Sequence, residues 1–366
     1  MKQNKAYKFR IYPNEEQKII FAKTFGCTRF IYNKMLSDKI DYYKQTKQKL
    51  NNTPAQYKIE FEWLKEVDSL ALANAQMNLQ KAFTNFFINT KSGFPKFKCK
   101  HKNKKSYTTN NQRNTITLEN GFLKLPKLVD LVKVKQHRQI PKDYKIKSVT
   151  ISQTPSEKYY ASILCEYDNQ IQTIEPKTFL GLDFSMKELY VASDETSADY
   201  PRYFRKSQEK LAREQRKLSR CVIGSKNRAK QGLKVAKLHE KVSNQRKDFL
   251  HKLSRQIANA YDCICIEDLD MKAMSQALNF GKSVADNGWG IFTTFLKYKL
   301  ENLGKQLIKI DRWFPSSKTC SNCNHIKEDL SLNDRIYHCD CCGITINRDY
   351  NASINIRNQG IKLVIS

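Results

Sequence analysis

Four cysteines in the last fifty residues constrain this chain more than any other feature. Cys320 and Cys323 are separated by two residues, as are Cys339 and Cys342, and fifteen residues lie between the pairs. That spacing fits two facing knuckles around a tetrahedral zinc ion. Gly343, directly after the second pair, suits a knuckle turn. A module of about thirty residues has too little core to fold alone, so metal binding is expected to supply much of its folding free energy. The competing explanation, four buried thiols without metal, does not account for the spacing. His325, His338 and Cys341 are nearby donors whose offsets fit less well. Closed four-cysteine sites are structural, so no chemistry is expected at the zinc.

The chain around this module is strongly basic. It holds 65 Lys+Arg against 36 Asp+Glu, a net charge of +29 over 366 residues. Such an excess repels itself unless a polyanion neutralises it, which makes nucleic acid the leading partner. No long apolar span, signal peptide or lipidation motif is visible, which argues against a membrane partner. Hydrophobic residues make up 40 %, enough for real cores rather than a disordered tail. Eleven cysteines, an odd number with several at metal-ligand spacing, favour a reducing, cytoplasmic compartment over a disulfide scaffold. The length suits two or three domains, and nothing in the sequence signals a monomer or a dimer.

Tyr7, Phe9 and Ile11 alternate with Lys8 and Arg10, the period of a half-buried strand. Pro13 ends it, and Asn14 before Glu15-Glu16-Gln17 reads as a helix N-cap. From about 14 to 90 the pattern is helical, with Leu72, Ala75, Leu79, Ala82, Phe83 and Phe86 on one face. Residues 91–105 form a basic loop or edge strand containing Lys91, Lys96, Lys98, Lys100, Lys102, Lys104 and Lys105. Short alternating segments follow up to 178, with Asn120-Gly121 as a hairpin turn. Together with the first strand they predict a small antiparallel barrel.

A second domain opens with the apolar run Phe179–Phe184. Residues 201–250 hold sixteen Lys/Arg against four Asp/Glu, and Phe204, Leu211 and Leu218 recur every seven residues. This predicts a basic helical hairpin over about 203–258 with one apolar seam, its turn bracketed by Gly224 and Gly232. Cys263–Glu267 reads as a buried strand, 292–303 as a helix, 307–310 as a strand and 349–356 as a helix. The expected class is multidomain, α+β and α/β, with domains at 1–178 and 179–366 and the zinc ribbon at about 316–346.

Three carboxylates stand in apolar or turn settings: Asp183 in Leu-Gly-Leu-Asp-Phe, Glu267 in Ile-Cys-Ile-Glu-Asp-Leu, and Asp349 in Asn-Arg-Asp-Tyr. Buried carboxylates are expensive unless paired, hydrogen-bonded or metal-bound. Three that converge would repel one another, and divalent cations resolve that. Two magnesium ions about 4 Å apart would suit phosphodiester hydrolysis. Taken singly, each is more simply a strand-end or cap carboxylate. Asp268 and Asp270 are close enough to Glu267 to compete for the role, and Cys263 and Cys265 are most simply core. Candidate nucleic-acid contacts are Asn74, Asn78, Gln80, Tyr107, Thr108, Asn110, Asn111 and Gln112, since Asn and Gln amides pair with adenine edges. A plain polar loop or helix face explains these positions about as well.

These motifs together resemble the TnpB (OrfB) family of bacterial insertion sequences, which is similar to the ancestor of type V CRISPR effectors. The resemblance rests on Ala6–Pro13, Gly26–Asn33, Phe94–Lys98, Ser106–Gln112, Gly181–Phe184, Ile266–Leu269, Phe314–Cys320 and Arg348–Ser353, and it covers essentially the whole chain. It implies an RNA-guided DNA endonuclease encoded by a transposable element. The guide RNA would pair with double-stranded target DNA beside a short motif. It also implies an N-terminal wedge β-barrel with a helical recognition insert at about 14–90, and a C-terminal RNase H-like (RuvC) nuclease that carries the zinc ribbon. Asp183, Glu267 and Asp349 would be catalytic. Asn347 stands where many relatives have Asp. A nuclease-silent RNA-guided regulator and an accessory transposition protein are the competing classes.

Overall fold

The computed structural model describes residues 2–89, 92–277, 281–331 and 334–365; Lys91 of the basic run lies outside them. The chain forms two compact units, Met1–Gln170 and Ile171–Ser366, each a mixture of helices and strands.

In the first unit, β1 (Lys2–Tyr12) buries Tyr7, Phe9 and Ile11, as its alternation requires. Helix α1 (Glu15–Thr46) starts at a reciprocal cap. Asn14 Oδ1 accepts the Gln17 N–H at 2.8 Å, and Gln17 Oε1 accepts the Asn14 N–H at 3.1 Å. Two donors orphaned at the helix start are thereby satisfied. A single turn α2 (Tyr57–Glu60) and a 3₁₀ turn lead to α3 (Ser69–Ile88). Ile31, Met35 and Leu36 of α1 pack on Leu72, Ala75 and Leu79 of α3. Six strands follow: β2 (Lys105–Asn110), β3 (Thr117–Glu119), β4 (Phe122–Lys124), β5 (Val132–Lys135), β6 (Lys145–Gln153) and β7 (Tyr159–Asp168). They join β1 in an all-antiparallel sheet ordered β2-β6-β7-β1-β5-β4-β3. Asn120 (φ 50°) and Gly121 (φ 77°) form the two-residue turn between β3 and β4.

The sheet is open rather than a closed barrel. Strands β2 and β3 are its edges, and no ladder joins them among the described residues. Strands β3 and β4 have three residues each, about 10 Å of chain, too short to wrap round. Phe21 and Phe25 of α1 and Ala71 of α3 join the same core as Phe9, Val149 and Ile163 instead.

The second unit contains β8 (Phe179–Phe184), β9 (Tyr190–Ala192), β10 (Ser197–Ala198), α4 (Tyr203–Arg220), α5 (Lys226–Ala260), β11 (Cys263–Glu267), α6 (Met271–Ala277), α7 (Gly281–Asn287), α8 (Trp289–Glu301), β12 (Gln306–Ile310), β13 (Ile336–His338), β14 (Thr345–Asn347) and α9 (Arg348–Ile365). Its main sheet runs β10-β9-β8-β11-β12, with β8, β11 and β12 parallel. Strand alternation gives this sheet two different faces. Leu180, Leu182, Ile264 and Ile266 pack with Leu250 and Ile257 of α5 and Phe292 and Leu296 of α8. Cys263 and Cys265 turn the other way, toward Ile356 of α9.

The basic hairpin is α4 and α5. Leu211, Val235 and Val242 are buried along its seam, and Ser225 caps α5 by accepting the Arg228 N–H at 3.1 Å. Gly224 (φ 86°) makes the turn. Gly232 does not bracket it; that residue lies inside α5, facing Leu218. No described helix is long and apolar enough to cross a membrane.

Candidate active site and metal centre

Strand parity builds the candidate active site. Asp183 shares a face of β8 with Gly181, and Glu267 shares a face of β11 with Cys263 and Cys265, which is the face that α9 covers. The two strands are parallel neighbours with Leu182 opposite Ile266, so Asp183 and Glu267 lie side by side at their C-terminal ends. Asp349 sits in the first turn of α9. Helix α9 lies directly on the sheet. A Cβ on Gly181 would fall 2.0 Å from the Ser353 carbonyl oxygen, and one on Gly360 would fall 2.1 Å from Cys265 Sγ. The structure thus places Asp183 where the charges of both Glu267 and Asp349 act on it.

The electrostatics follow from that convergence. Burial, then the charges of Glu267 and Asp349, push the Asp183 carboxyl well above the usual aspartate range, against the opposing pull of Arg348 and the Phe184 N–H. Burial also raises Glu267, although the Ser316 hydroxyl donates to Glu267 Oε1 and counters the shift. Arg348 contacts Asp349 Oδ1 at 3.2 Å. The neighbouring acids have other work. Asp268 pairs with Lys309 at 2.7 Å and Arg312 at 3.3 Å, and Asp270 accepts the Lys272 and Ala273 N–H groups that open α6. Asn347 is a helix cap, since its Oδ1 accepts the Asp349 and Tyr350 N–H groups at 3.0 and 3.1 Å.

The four cysteines come together as their spacing required. Their sulfurs all lie within 4.8 Å of one another, with Cys320–Cys342 at 3.7 Å and Cys323–Cys339 at 3.5 Å. A tetrahedron with Zn–S near 2.3 Å has S···S edges of about 3.8 Å, so the donor set fits zinc. The two knuckles repeat one another: Asn324 N–H bonds Cys320 O and Gly343 N–H bonds Cys339 O, both at 3.0 Å. Asn324 (φ 60°) and Gly343 (φ 71°) are both left-handed. Gly343 was readable from the sequence; Asn324, the residue type that best tolerates that conformation after glycine, was overlooked. His325, His338 and Cys341 lie outside the cluster.

Sequence reasoning also missed the clamp that joins ribbon to helix. Asn351 Nδ2 donates to Thr319 O at 2.7 Å, and Asn355 Nδ2 donates to Ser316 O at 2.8 Å and Thr319 O at 2.6 Å. Both asparagines are buried. The signal was two amides four residues apart beside Ala352 and Ile356 on a helix bearing a candidate carboxylate.

The candidate nucleic-acid contacts divide. The Tyr107 ring is buried against Phe21 and Phe25. Thr108 bonds Thr150, and Asn111 bonds Ile146 O and the Ile116 N–H. Asn74 donates to Leu70 O within its own helix. These four side chains already have partners within the fold. Asn78, Gln80 and Gln112 are exposed and Asn110 is half-buried. In the basic loop, Lys98 turns inward. Its backbone is clamped by the Asn33 amide, and its ammonium lies 3.9 Å from the Tyr32 ring centroid.

A two-unit chain of mixed helices and strands, with carboxylates at the strand ends of its second sheet and a four-thiol ribbon with its own small sheet, defines a recognisable class. Residues 162–278 match a family model described as an OrfB probable transposase, residues 289–356 a Cas12f1-like TNB domain and residues 1–48 a helix-turn-helix domain. A Streptomyces pristinaespiralis protein, provisionally named an RNA-guided DNA endonuclease, is 33 % identical over 370 residues, spanning 98 % of this chain and 89 % of that one. An Escherichia coli K12 protein with the same provisional name is 29 % identical over 382 residues, spanning 98 % and 93 %. The fold is similar to that of the protein in a Cas12f1–sgRNA–target DNA complex, with a TM-score of 0.63 at 15 % identity over 98 % of this chain and 99 % of that one. The chain belongs to the TnpB (OrfB) family.

Proposed function

We propose that the protein is an RNA-guided DNA endonuclease encoded by a transposable element. The observation that carries this reading is the convergence of Asp183, Glu267 and Asp349 at the ends of β8 and β11 and the start of α9. The names of the two relatives support the guide and the substrate class. The first unit would be the wedge with its helical recognition insert, holding the RNA scaffold and reading a short motif beside the target. The second would be the RNase H-like RuvC nuclease, acting in the cytoplasm.

The donor chemistry fits hard divalent cations, because the three side chains offer only carboxylate oxygens. Two such ions, about 4 Å apart, are the arrangement suited to phosphodiester hydrolysis. Magnesium, when bound, would neutralise the phosphate and lower the pKa of the attacking water. This chain's own residues do the remainder. Asp183, Glu267 and Asp349 would hold the metals, and Ser316 fixes the orientation of Glu267. The basic faces of α4 and α5 would meet the backbone of the guide–target duplex, with affinity that falls steeply as salt rises. Zinc at Cys320, Cys323, Cys339 and Cys342 would fix the ribbon root that Asn351 and Asn355 grip.

The test is Asp183→Ala, purified with the RNA of its own element. Plasmid cleavage should be lost while RNA and target binding persist. Undiminished cleavage would defeat the assignment. Sequencing of the co-purified RNA should find one discrete species ending in a segment derived from the flank.

A further inference from the structure

The end of the helical layer in the first unit has a feature that the nuclease reading does not use. The last turns of α1 and α3 and the segment at Phe94 enclose a cleft of about 540 Å³, within the roughly 300–1,000 Å³ of small-ligand pockets. Its walls are aromatic. Phe83, Phe86, Phe87 and Phe94 form one cluster with neighbouring ring centroids 5.2 to 6.5 Å apart, and Tyr43 lines the opposite side. Folding leaves these rings open: Tyr43 is 57 % exposed, Phe87 76 % and Phe94 45 %.

The charged residues lining the cleft are Lys39, Lys44 and Lys49, with no carboxylate among the lining residues. Lys39 donates to the Leu50 carbonyl at 2.5 Å, holding the 47–50 segment against α1. Lys44 has a loose contact with Asp41 at 3.8 Å. The amide of Gln80 is exposed at the rim.

An apolar patch of this kind marks a contact surface. Its lysine rim disfavours a second copy of a chain carrying +29 charges and favours a polyanion. The aromatic floor needs flat apolar faces, which duplex bases hide in their own stack and unpaired bases present. A basic groove with exposed rings is how single strands are held without reading their full sequence.

We propose that this cleft holds unpaired bases of a single-stranded RNA segment. The bases stack on Phe87, Phe94 and Tyr43, Lys44 and Lys49 meet the flanking phosphates, and the Gln80 amide meets a base edge. The choice of RNA over DNA rests on the RNA-guided reading, in which the displaced DNA strand goes to the carboxylates of the second unit.

The test uses the full chain and a labelled oligouridylate of about 12 nucleotides. Phe87→Ala should weaken its binding about tenfold, with binding of an RNA duplex of equal length unchanged. Photocrosslinking with 5-iodouridine in the oligonucleotide should label peptides from 39–50 or 80–94. Phe87 is largely exposed, so the variant should keep its fold, and an unchanged circular dichroism melt verifies that. Unchanged oligouridylate binding by Phe87→Ala, with crosslinks elsewhere, would overturn the proposal. So would a wild-type dimer that Phe87→Ala dissociates without altering RNA binding. Plasmid cleavage by the wild type reports separately on the nuclease reading: if it cuts and the cleft fails, only the cleft falls.

Discussion

Gly181→Ala probes whether the close seat of α9 on β8 sets the carboxylate geometry. The added Cβ would lie 2.0 Å from Ser353 O and 2.7 Å from Arg357 N, against the 3.0 Å that real Cβ contacts respect. The atoms struck are backbone, so no side chain can swing aside, and the helix must retreat by about 1 Å. Retreat is opposed, because Asn351 and Asn355 bind α9 to the ribbon root at 2.6 to 2.8 Å. Overpacking of this kind sits at the upper end of about 1–3 kcal/mol. For a unit of this size each kcal/mol moves the melting temperature by about 2–4 °C, so the second unit should melt about 6–12 °C lower. Asp349 rides on the displaced helix, and a shift of about 1 Å at reacting groups can cost about 100-fold in rate. The assays are a thermal melt and single-turnover plasmid cleavage. Gly290→Ala is the control, since its Cβ would meet nothing within 4 Å and the change should stabilise α8 by about 0.5–1 kcal/mol. A Gly181→Ala protein that melts with the wild type and cuts at its rate would refute the reasoning.

Three further outcomes follow from the same geometry. Cys342→Ser should take bound zinc from one per chain to almost none by metal analysis and make the ribbon sensitive to protease; full zinc occupancy would contradict the four-thiol site. Lys299 is only 3 % exposed, and burial, aided by the charge of Arg255, pulls its pKa down to about 8. The unfolded chain therefore holds the extra proton between about pH 8 and 10.5, so the stability contributed at this site is lowest below pH 8 and rises through that window. The wild-type stability relative to Lys299→Met should accordingly rise by up to about 3 kcal/mol between pH 7.5 and 10.5, and a flat difference would remove the argument. Asn347→Asp keeps an acceptor for the Asp349 and Tyr350 N–H groups, so melting should change by less than about 0.5 kcal/mol and cleavage should stay near wild type. A large change in its magnesium requirement would show that residue 347 reaches the metals.

What the sequence revealed was mostly what local geometry decides. Two cysteine pairs fold into knuckles because each needs only a short turn, and Asn14 with Gln17 caps α1 within four residues. Asp183 and Glu267 stood out because each is a carboxylate in or at the end of a short apolar run, and the family resemblance supplied the role expected of them. Closure of the first sheet was not legible, because it depends on which helix side chains enter the core from elsewhere in the chain. The inward residues of the run from Tyr107 to Gln112 were not legible for a related reason. Polar side chains that satisfy neighbouring strands look the same in sequence as polar side chains that face a ligand. Its own alternation held the hint, since Tyr107 and Thr109 share the inward parity. Gly181 and Gly360 carried a signal that went unread, because a glycine inside a strand or helix often marks close approach by another backbone.

The parity of β8 and β11 has one more consequence. A slip of one residue in strand pairing would exchange the two faces of a strand. If β11 slipped past β8 in this way, Glu267 would enter the layer made by Leu180 and Leu182, and Ile264 and Ile266 would both face α9. The misaligned state would bury a charge and lose the seat that Cys265 offers Gly360. The apolar core on one side of the sheet thus proofreads the alignment of the acidic residues on the other.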